Sequence, residues 1–282
     1  MTYTYIHHMP SAPLNAYIDG LFYFEGPMPL SRMKMLPMPT VQLLINFGGA
    51  ISVYEPGQAD PFTTCTASWW VGLWNRYHIA EWPLDAKFFG VRFKPGGAYP
   101  FLGLPASELH NQFVPLDIVW GQFAAEMRER LYAAPTIHDG FALLERLLLA
   151  RLSAAPYGLN VVQYGVAEIA RQHGVLSIRA LSDDIGVSQN HLLTQFKRMV
   201  GAAPKVLARL YRLRQVIQSI DPAQSVDWRL IAHQSGYYDQ SHFSNDLMEF
   251  LGHSPTDYLR LRRQLHAANP EHDQLLRFLP ID

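Results

Sequence analysis

Cysteine is nearly absent from this chain: among 282 residues only Cys65 carries a thiol. A lone thiol closes no internal disulfide, which fits a reducing compartment such as the cytoplasm. Long apolar runs are missing too. No stretch nears the roughly 20 apolar residues that span a bilayer. The longest helical candidate, Phe141–Leu152, is interrupted by Glu145 and Arg146. The opening MTYTYIHHMP lacks the basic start and apolar centre of a secretory signal. These absences predict a soluble cytoplasmic protein with no membrane partner. Metal-binding grammar is equally thin. None of His7, His8, His78, His110 and His138 forms a His-x-His pair, and His7 and His8 would face opposite sides of a strand. The reading therefore names no metal, no cofactor and no catalytic residue. Cys65 has no His or Asp motif beside it to activate a nucleophile, so an enzyme is not expected.

Charge of one sign is not in surplus either, with 23 Lys/Arg against 24 Asp/Glu. That excludes binding of a polyanion by the chain as a whole. By region, residues 1–159 are net −2, 160–268 net +3 and 269–282 net −2. The positive lean of 160–268 is mild, and alone it assigns nothing.

What is present is 49% hydrophobic residues, enough for sizeable cores and two domains. Residues 1–116 read as β structure. Val41 to Phe47 and Ala50 to Tyr54 are apolar runs joined by Gly48-Gly49, the pattern of a hairpin. Lys87 to Phe93 reads as another strand, closed by Pro95-Gly96-Gly97. A sandwich or small barrel fits. Trp69, Trp70, Trp74, Tyr77 and Trp82 crowd into 14 residues. They suit an effector pocket or the core of a small barrel, and both readings are open. Residues 117–153 read as a helical hairpin, Trp120–Leu131 and Phe141–Leu152. Its stripe of Leu143, Leu144, Leu147, Leu148 and Leu152 serves either packing on the β domain or a homodimer interface. Ala154 to Gly158 reads as a linker, and 160–268 as helix throughout.

An internal repeat gives those helices their meaning. Ile178 to Gly186 overlays Trp228 to Gly236 at an offset of 50. One extra residue then makes the offset 51, aligning His191 with His242, Phe196 with Leu247, Gly201 with Gly252, Pro204 with Pro255 and Arg209 with Arg260. One supersecondary unit is used twice, and its grammar is helix-turn-helix. Leu181 and Ile231 point between the helices, and Ser182 and Ala232 are small where the helices cross. Gly186 and Gly236 end the first helix, and Ser188 and Asp239 cap the second. Leu192 and Phe196, like Phe243 and Leu247, face inward. The opposite faces carry Gln189, Asn190 and Thr194 in one copy and Gln240, Ser241, Ser244 and Asn245 in the other. Asn and Gln can pair bidentately with adenine edges, so these are the candidate base readers. Arg179, Lys197, Arg198 and Arg229 are the candidate phosphate contacts. The joining helix, about 203–220, would hold the two recognition helices near one turn of DNA apart.

These residues carry a resemblance. Segment 160–265 resembles the DNA-binding domain of AraC/XylS-type transcription regulators. It does so through Leu-Ser-x-x-x-Gly-Val-Ser (181–188), Ile-Ala-x-x-x-Gly-Tyr-Tyr-Asp-Gln-Ser-His-Phe (231–243) and Gly-His-Ser-Pro (252–255). The resemblance implies that both units of one subunit bind an asymmetric promoter site. This chain departs from the family where Thr194 and Asn245 stand, usually basic, and where Leu247 and Met248 replace an aromatic then a basic residue. Asp246 and Glu249 add negative charge to the second recognition helix, so the first unit is expected to supply most of the affinity, an effect muted if Asp246 pairs with a neighbouring Arg instead of facing DNA. Gly90 to Leu109 looks like the cupin-like N-terminal domain of some such regulators, which implies a β-barrel that binds a small effector or mediates dimerisation. The resulting expectation is an α+β chain: a cupin-like β-barrel or sandwich, a helical hairpin, and an all-α domain of two helix-turn-helix units. Its partners are double-stranded promoter DNA, RNA polymerase, a small-molecule effector and a second copy. The alternative is a regulator whose N-terminal half is a ligand-free dimerisation or protein-interaction module.

Overall fold

The computed structural model describes residues 3–154, 157–268 and 278–281. Strands come first in the chain: β1 (Thr4–His8), β2 (Ile18–Glu25), β3 (Arg32–Met35), β4 (Gln42–Asn46), β5 (Ile51–Tyr54), β6 (Thr63–Cys65), β7 (Ser68–Val71), β8 (His78–Glu81), β9 (Lys87–Phe93) and β10 (Phe113–Pro115). The short helix α1 (Tyr99–Leu102) separates β9 from β10. Two sheets form, both antiparallel. One runs β1-β2-β9-β4-β7-β10. The other runs β3-β8-β5-β6 and gains a fifth strand, β11 (Phe278–Pro280), from the far end of the chain. The described strands thus make two packed sheets and not a closed barrel.

The expected hairpin at Gly48-Gly49 does not exist. β4 pairs with β7 and β9, β5 with β6 and β8, so the two strands belong to different sheets. The polar groups of the corner are satisfied locally. The Asn46 side-chain amide donates to the Gly49 carbonyl at 2.9 Å and accepts from the Gly48 N–H at 3.2 Å. The Gly49 N–H donates to the Asp85 carboxylate at 3.3 Å. With those groups occupied, the chain turns the corner without a cross-strand ladder.

The helical hairpin is α2 (Leu116–Trp120), α3 (Gln122–Tyr132) and α4 (Ile137–Arg151), the first two separated at Gly121 with φ 58°. Its leucine stripe packs inward. Leu143, Leu144, Leu147 and Leu148 are buried in the main core. Phe141 meets Phe89 edge-on with ring centres 5.2 Å apart and stacks on His8 at 5.0 Å. Glu145 accepts from Ser11 and lies 2.6 Å from His8 Nε2, tying α4 to β1. Of the linker, Ala155 and Pro156 lie outside the described residues.

The remaining helices are α5 (Leu159–Arg171), α6 (Ile178–Ile185), α7 (Gln189–Val200), α8 (Pro204–Ser219), α9 (Trp228–Gln234), α10 (Gln240–Leu251) and α11 (Pro255–Ala268). One continuous core runs from the β sheets through the hairpin into both repeats, and includes Trp70, Phe93, Leu144, Phe196, Leu213 and Phe243. The chain then returns. β11 pairs antiparallel with β3, Phe278 opposite Met35, so the helical segment is followed by a strand of the first domain.

Candidate nucleic-acid interface and effector cavity

Each repeat builds its turn from the capping residues the sequence supplies. In the first unit Ser177 accepts from the Ala180 N–H and Ser188 from the His191 N–H. In the second, Asp227 accepts from the Arg229 and Leu230 N–H groups, and Asp239 from the His242 N–H at 2.7 Å. Between the helices Gly186 and Gly236 stand at φ 78° and 70°, a left-handed turn that costs glycine little. Leu192, Phe196, Phe243 and Leu247 are fully buried, which fixes the inner faces of α7 and α10.

The outer faces follow from this. Gln189, Asn190, Thr194 and Lys197 are exposed on α7; Gln240, Ser241 and Asn245 are exposed on α10, and Ser244 is half-buried. The Thr194 hydroxyl donates to the Asn190 carbonyl at 2.9 Å, which leaves its oxygen outward as an acceptor. Arg179 and Arg229 are exposed at the starts of α6 and α9. α8, 16 residues long, joins the units with a rise of roughly 24 Å.

Three charged groups that the sequence places on the outer faces, one of them the expected phosphate contact Arg198, are engaged elsewhere. Asp246 does not face outward: it is 4% exposed and its carboxylate accepts from Arg209 at 2.8 Å. Glu249 accepts from the same guanidinium at 2.5 Å. Burial works against the Arg209 charge, but its hydrogen bonds to Glu249 and Asp246 outweigh that and hold its pKa above the ordinary value. Neither acid is thus an unpaired negative charge on the outer face of α10. Arg198 turns away as well. Its Nε donates to the Tyr99 hydroxyl at 2.7 Å and its guanidinium lies 5.5 Å from that ring's centre, against the first domain. The role of Arg209 was missed from sequence, although its repeat partner Arg260 marked the position.

The two sheets enclose a cavity of about 210 Å³, walled almost entirely by apolar side chains. Trp69, Trp74 and Trp82 line it; Trp70 and Tyr77 do not. Trp70 follows Trp69 on one strand and so points to the other face, where it packs on Phe93 and Trp120. Tyr77 sits outside the cavity, at the contact with the second repeat. Missed from sequence were Met28, Met33, Met35 and Met38, which line the cavity. Four methionines within 11 residues were the available signal, since Met adapts to irregular apolar space. Burial pushes the Cys65 thiol at the cavity wall up to about 12 and the His78 imidazole down to about 3, so both are neutral. Among the described residues no group of three His, Cys, Asp or Glu could hold a metal ion, and no helix is long and apolar enough to cross a membrane.

The walls of this cavity touch the second repeat. Met33 and Met35 of β3 line it, while Lys34 between them bonds His253 in the α10–α11 turn. His78 of β8 lines it, while the preceding Tyr77 N–H donates to the Phe250 carbonyl at 3.0 Å. A Cβ on Gly252, φ 70°, would lie 2.4 Å from the Tyr77 ring, so only glycine allows that approach. Leu265 of α11 packs with Met33 and Phe278. The first repeat docks elsewhere. Gly201, φ 89°, closes on the Ala106 carbonyl, next to Arg198 on Tyr99.

Residues 181–261 match the family model of a helix-turn-helix domain, and residues 6–115 match that of a domain of unknown function. The invasion protein InvF of Salmonella typhi is 31% identical over 80 residues, 28% of this chain and 36% of that protein; InvF of Salmonella typhimurium matches equally. The match thus spans about a third of the relatives' length. Among solved structures, the C-terminal domain of AraT, a response regulator from Geobacillus stearothermophilus, is 22% identical with TM-score 0.33, covering 36% of this chain and 84% of that one. ToxT from Vibrio cholerae, with an unsaturated fatty acid bound, is 11% identical with TM-score 0.42, covering 84% and 94%. Over residues 181–261 the chain therefore carries a helix-turn-helix domain.

Proposed function

We propose that the chain is a sequence-specific DNA-binding transcription regulator, not an enzyme, that acts on double-stranded promoter DNA in the cytoplasm and is gated by a small molecule in its β domain. The observation that carries DNA binding is the pair of capped units with exposed polar outer faces, held at a fixed separation by α8. Gln189, Asn190 and Thr194 in one unit, and Gln240, Ser241, Ser244 and Asn245 in the other, are the base readers in this reading. Arg179, Arg229 and Lys197 contact phosphates. Arg198 is assigned to the domain contact. RNA polymerase is the partner that regulation at a promoter requires.

Gating is supported by strands with two faces. β3 and β8 present Met33, Met35 and His78 to the cavity, and Lys34 with the adjoining Tyr77 to the second repeat. A ligand that moves the cavity wall therefore acts on the seat of α10 and α11. The alternative, a dimerisation module without a ligand, loses its main support because the leucine stripe of α4 is covered within its own chain.

The test is selection of sites from randomised duplex DNA by the full chain, followed by affinity at two salt concentrations. An enriched site is expected. Arg179→Ala and Arg229→Ala should each weaken specific and random DNA alike and flatten the salt slope by about one unit. Failure to enrich any sequence overturns the reading.

A further inference from the structure

The polar groups around the cavity divide into those sealed behind its walls and those that reach the space. The indole nitrogens of Trp69, Trp74 and Trp82, with Thr40 Oγ1 and His78 Nδ1, are occluded from any guest. The Asn46 amide is engaged at the β4–β5 corner, by the Gly49 carbonyl and the Gly48 N–H. Gln42 is different. It stands on β4, between β9 and β7 in the middle of its sheet. Leu43 and Ile45 are fully buried in the main core. Strand alternation therefore turns Gln42, Leu44 and Asn46 the other way, and all three line the cavity. Gln42 is half-buried, its amide is not among the sealed groups, and that amide makes no hydrogen bond among the described residues.

An amide side chain presents an N–H donor and a carbonyl acceptor side by side, without charge. A carboxamide or lactam answers both at once through two parallel hydrogen bonds. A ketone meets the donor and leaves the Gln42 carbonyl unpaired, which costs free energy away from water. An ionised acid fares worse. No Lys or Arg lines the cavity among the described residues. Arg92, opposite Gln42 on β9, donates to Asp19 at 2.6 Å. Burial keeps His78 and Cys65 neutral. A carboxylate would thus be buried without an opposite charge. The rest of the wall is mostly apolar. Phe22, Phe24, Phe88 and Phe113 supply ring faces, and Met33 and Met35 adapt to the outline.

We propose that the cavity binds an uncharged molecule with an apolar, ring-containing body and a carboxamide or lactam edge that pairs with the Gln42 amide. This rests on the reading of the β domain as a sensor. It adds the ligand's chemistry and the residue that reads it.

Four probes of one outline test this: 2-naphthamide, 2-acetonaphthone, 2-ethylnaphthalene and 2-naphthoate. Each is titrated against the full chain by quenching of tryptophan fluorescence and by thermal shift. The amide should bind roughly threefold or more tighter than the ketone, and roughly tenfold or more tighter than the acid. Gln42→Leu should cost the amide roughly tenfold and reverse its order with the ketone. 2-Ethylnaphthalene needs no polar partner, so it should bind the variant at least as well and report an intact cavity. Gln42→Met, which keeps the length of the side chain, should give the same pattern. The proposal is overturned if the acid binds as tightly as the amide, if both variants leave the amide's affinity unchanged, or if none of the four binds. DNA affinity measured with and without 2-naphthamide tests the sensor reading separately. Gln42-dependent binding of the amide with unchanged DNA affinity would leave the ligand class standing and remove the gating.

Discussion

At one matched position of the two repeats the chain places Gln195 and Asp246, and both are buried. In the first unit the Gln195 carbonyl oxygen has no hydrogen-bond partner among the described residues. In the second, Arg209 reaches across from α8 to Asp246 and Glu249 and lies over the Phe250 ring at 4.6 Å. At the next matched position outward, Arg198 of the first unit serves the contact with Tyr99, and Glu249 of the second serves Arg209. The same motif therefore carries different charges at these positions, and the charged groups are paired within the chain. The lesson is that composition along a recognition helix does not give the charge of its outer face. Subtracting the paired groups leaves Lys197 against Met248 as the main electrostatic difference between the two helices. That is smaller than the raw sequence implied.

The largest effect is expected where the two units treat the shared buried position differently. Removing one partner of a buried ion pair strands the other charge, at a cost of roughly 3–5 kcal/mol. Arg209→Ala should destabilise the protein by about that amount in denaturant titration, and Arg209→Met with Asp246→Leu should recover most of it. Gln195→Met, which strands nothing, should stay within about 1 kcal/mol. Equal costs for Arg209→Ala and Gln195→Met would break the comparison.

The second repeat was also the less legible one. Both turns, the caps Ser188 and Asp239, and the inner faces of α7 and α10 follow from local spacing, while the caps Ser177 and Asp227 were missed from sequence. Local chemistry decides them. What depended on distant partners was hidden. The acids of α10 read as exposed, with pairing of Asp246 to an Arg as an open alternative, because Arg209, 37 residues before Asp246, gave no local signal of being that Arg. Lys34 and His253 are 219 residues apart. The β4–β5 corner failed for a related reason: Gly-Gly between apolar runs reads as a hairpin, but Asp85 and Asn46 settled the turn. Of the five clustered aromatics, strand alternation would have separated Trp69 from Trp70 once β7 was in place. β11 lies too far from β3 in sequence for any local pattern to announce the pairing.

Acid should act through the side of the molecule that seats the second repeat. His78 has its pKa lowered from 6.5 to about 3 by burial. The unfolded chain then takes up a proton that the folded chain refuses, so stability falls as pH drops below 6.5. Between pH 7 and pH 5 this amounts to about 2 kcal/mol. His78→Phe should remove that share of the loss in melts across this range, and an unchanged acid slope would contradict the burial of a neutral imidazole.

The smallest effect concerns phosphate contacts. Lys197→Met, which gives the first unit the residue of the second, should lower the salt slope by about one unit, and Met248→Lys should raise it by the same amount. If Met248→Lys changes neither slope nor affinity, the second recognition helix does not approach phosphates at that position.

The central claim is that both units read DNA at once, and the most direct measurement is a hydroxyl-radical footprint of the full chain on its selected site. Two protected patches are predicted on one face of the duplex, about one helical turn or 10–10.5 bp apart. Asn190→Ala should relax base preference under one patch only, and Asn245→Ala under the other only, each by about 1–3 kcal/mol. A single patch, or two patches that respond to neither substitution, would contradict the account.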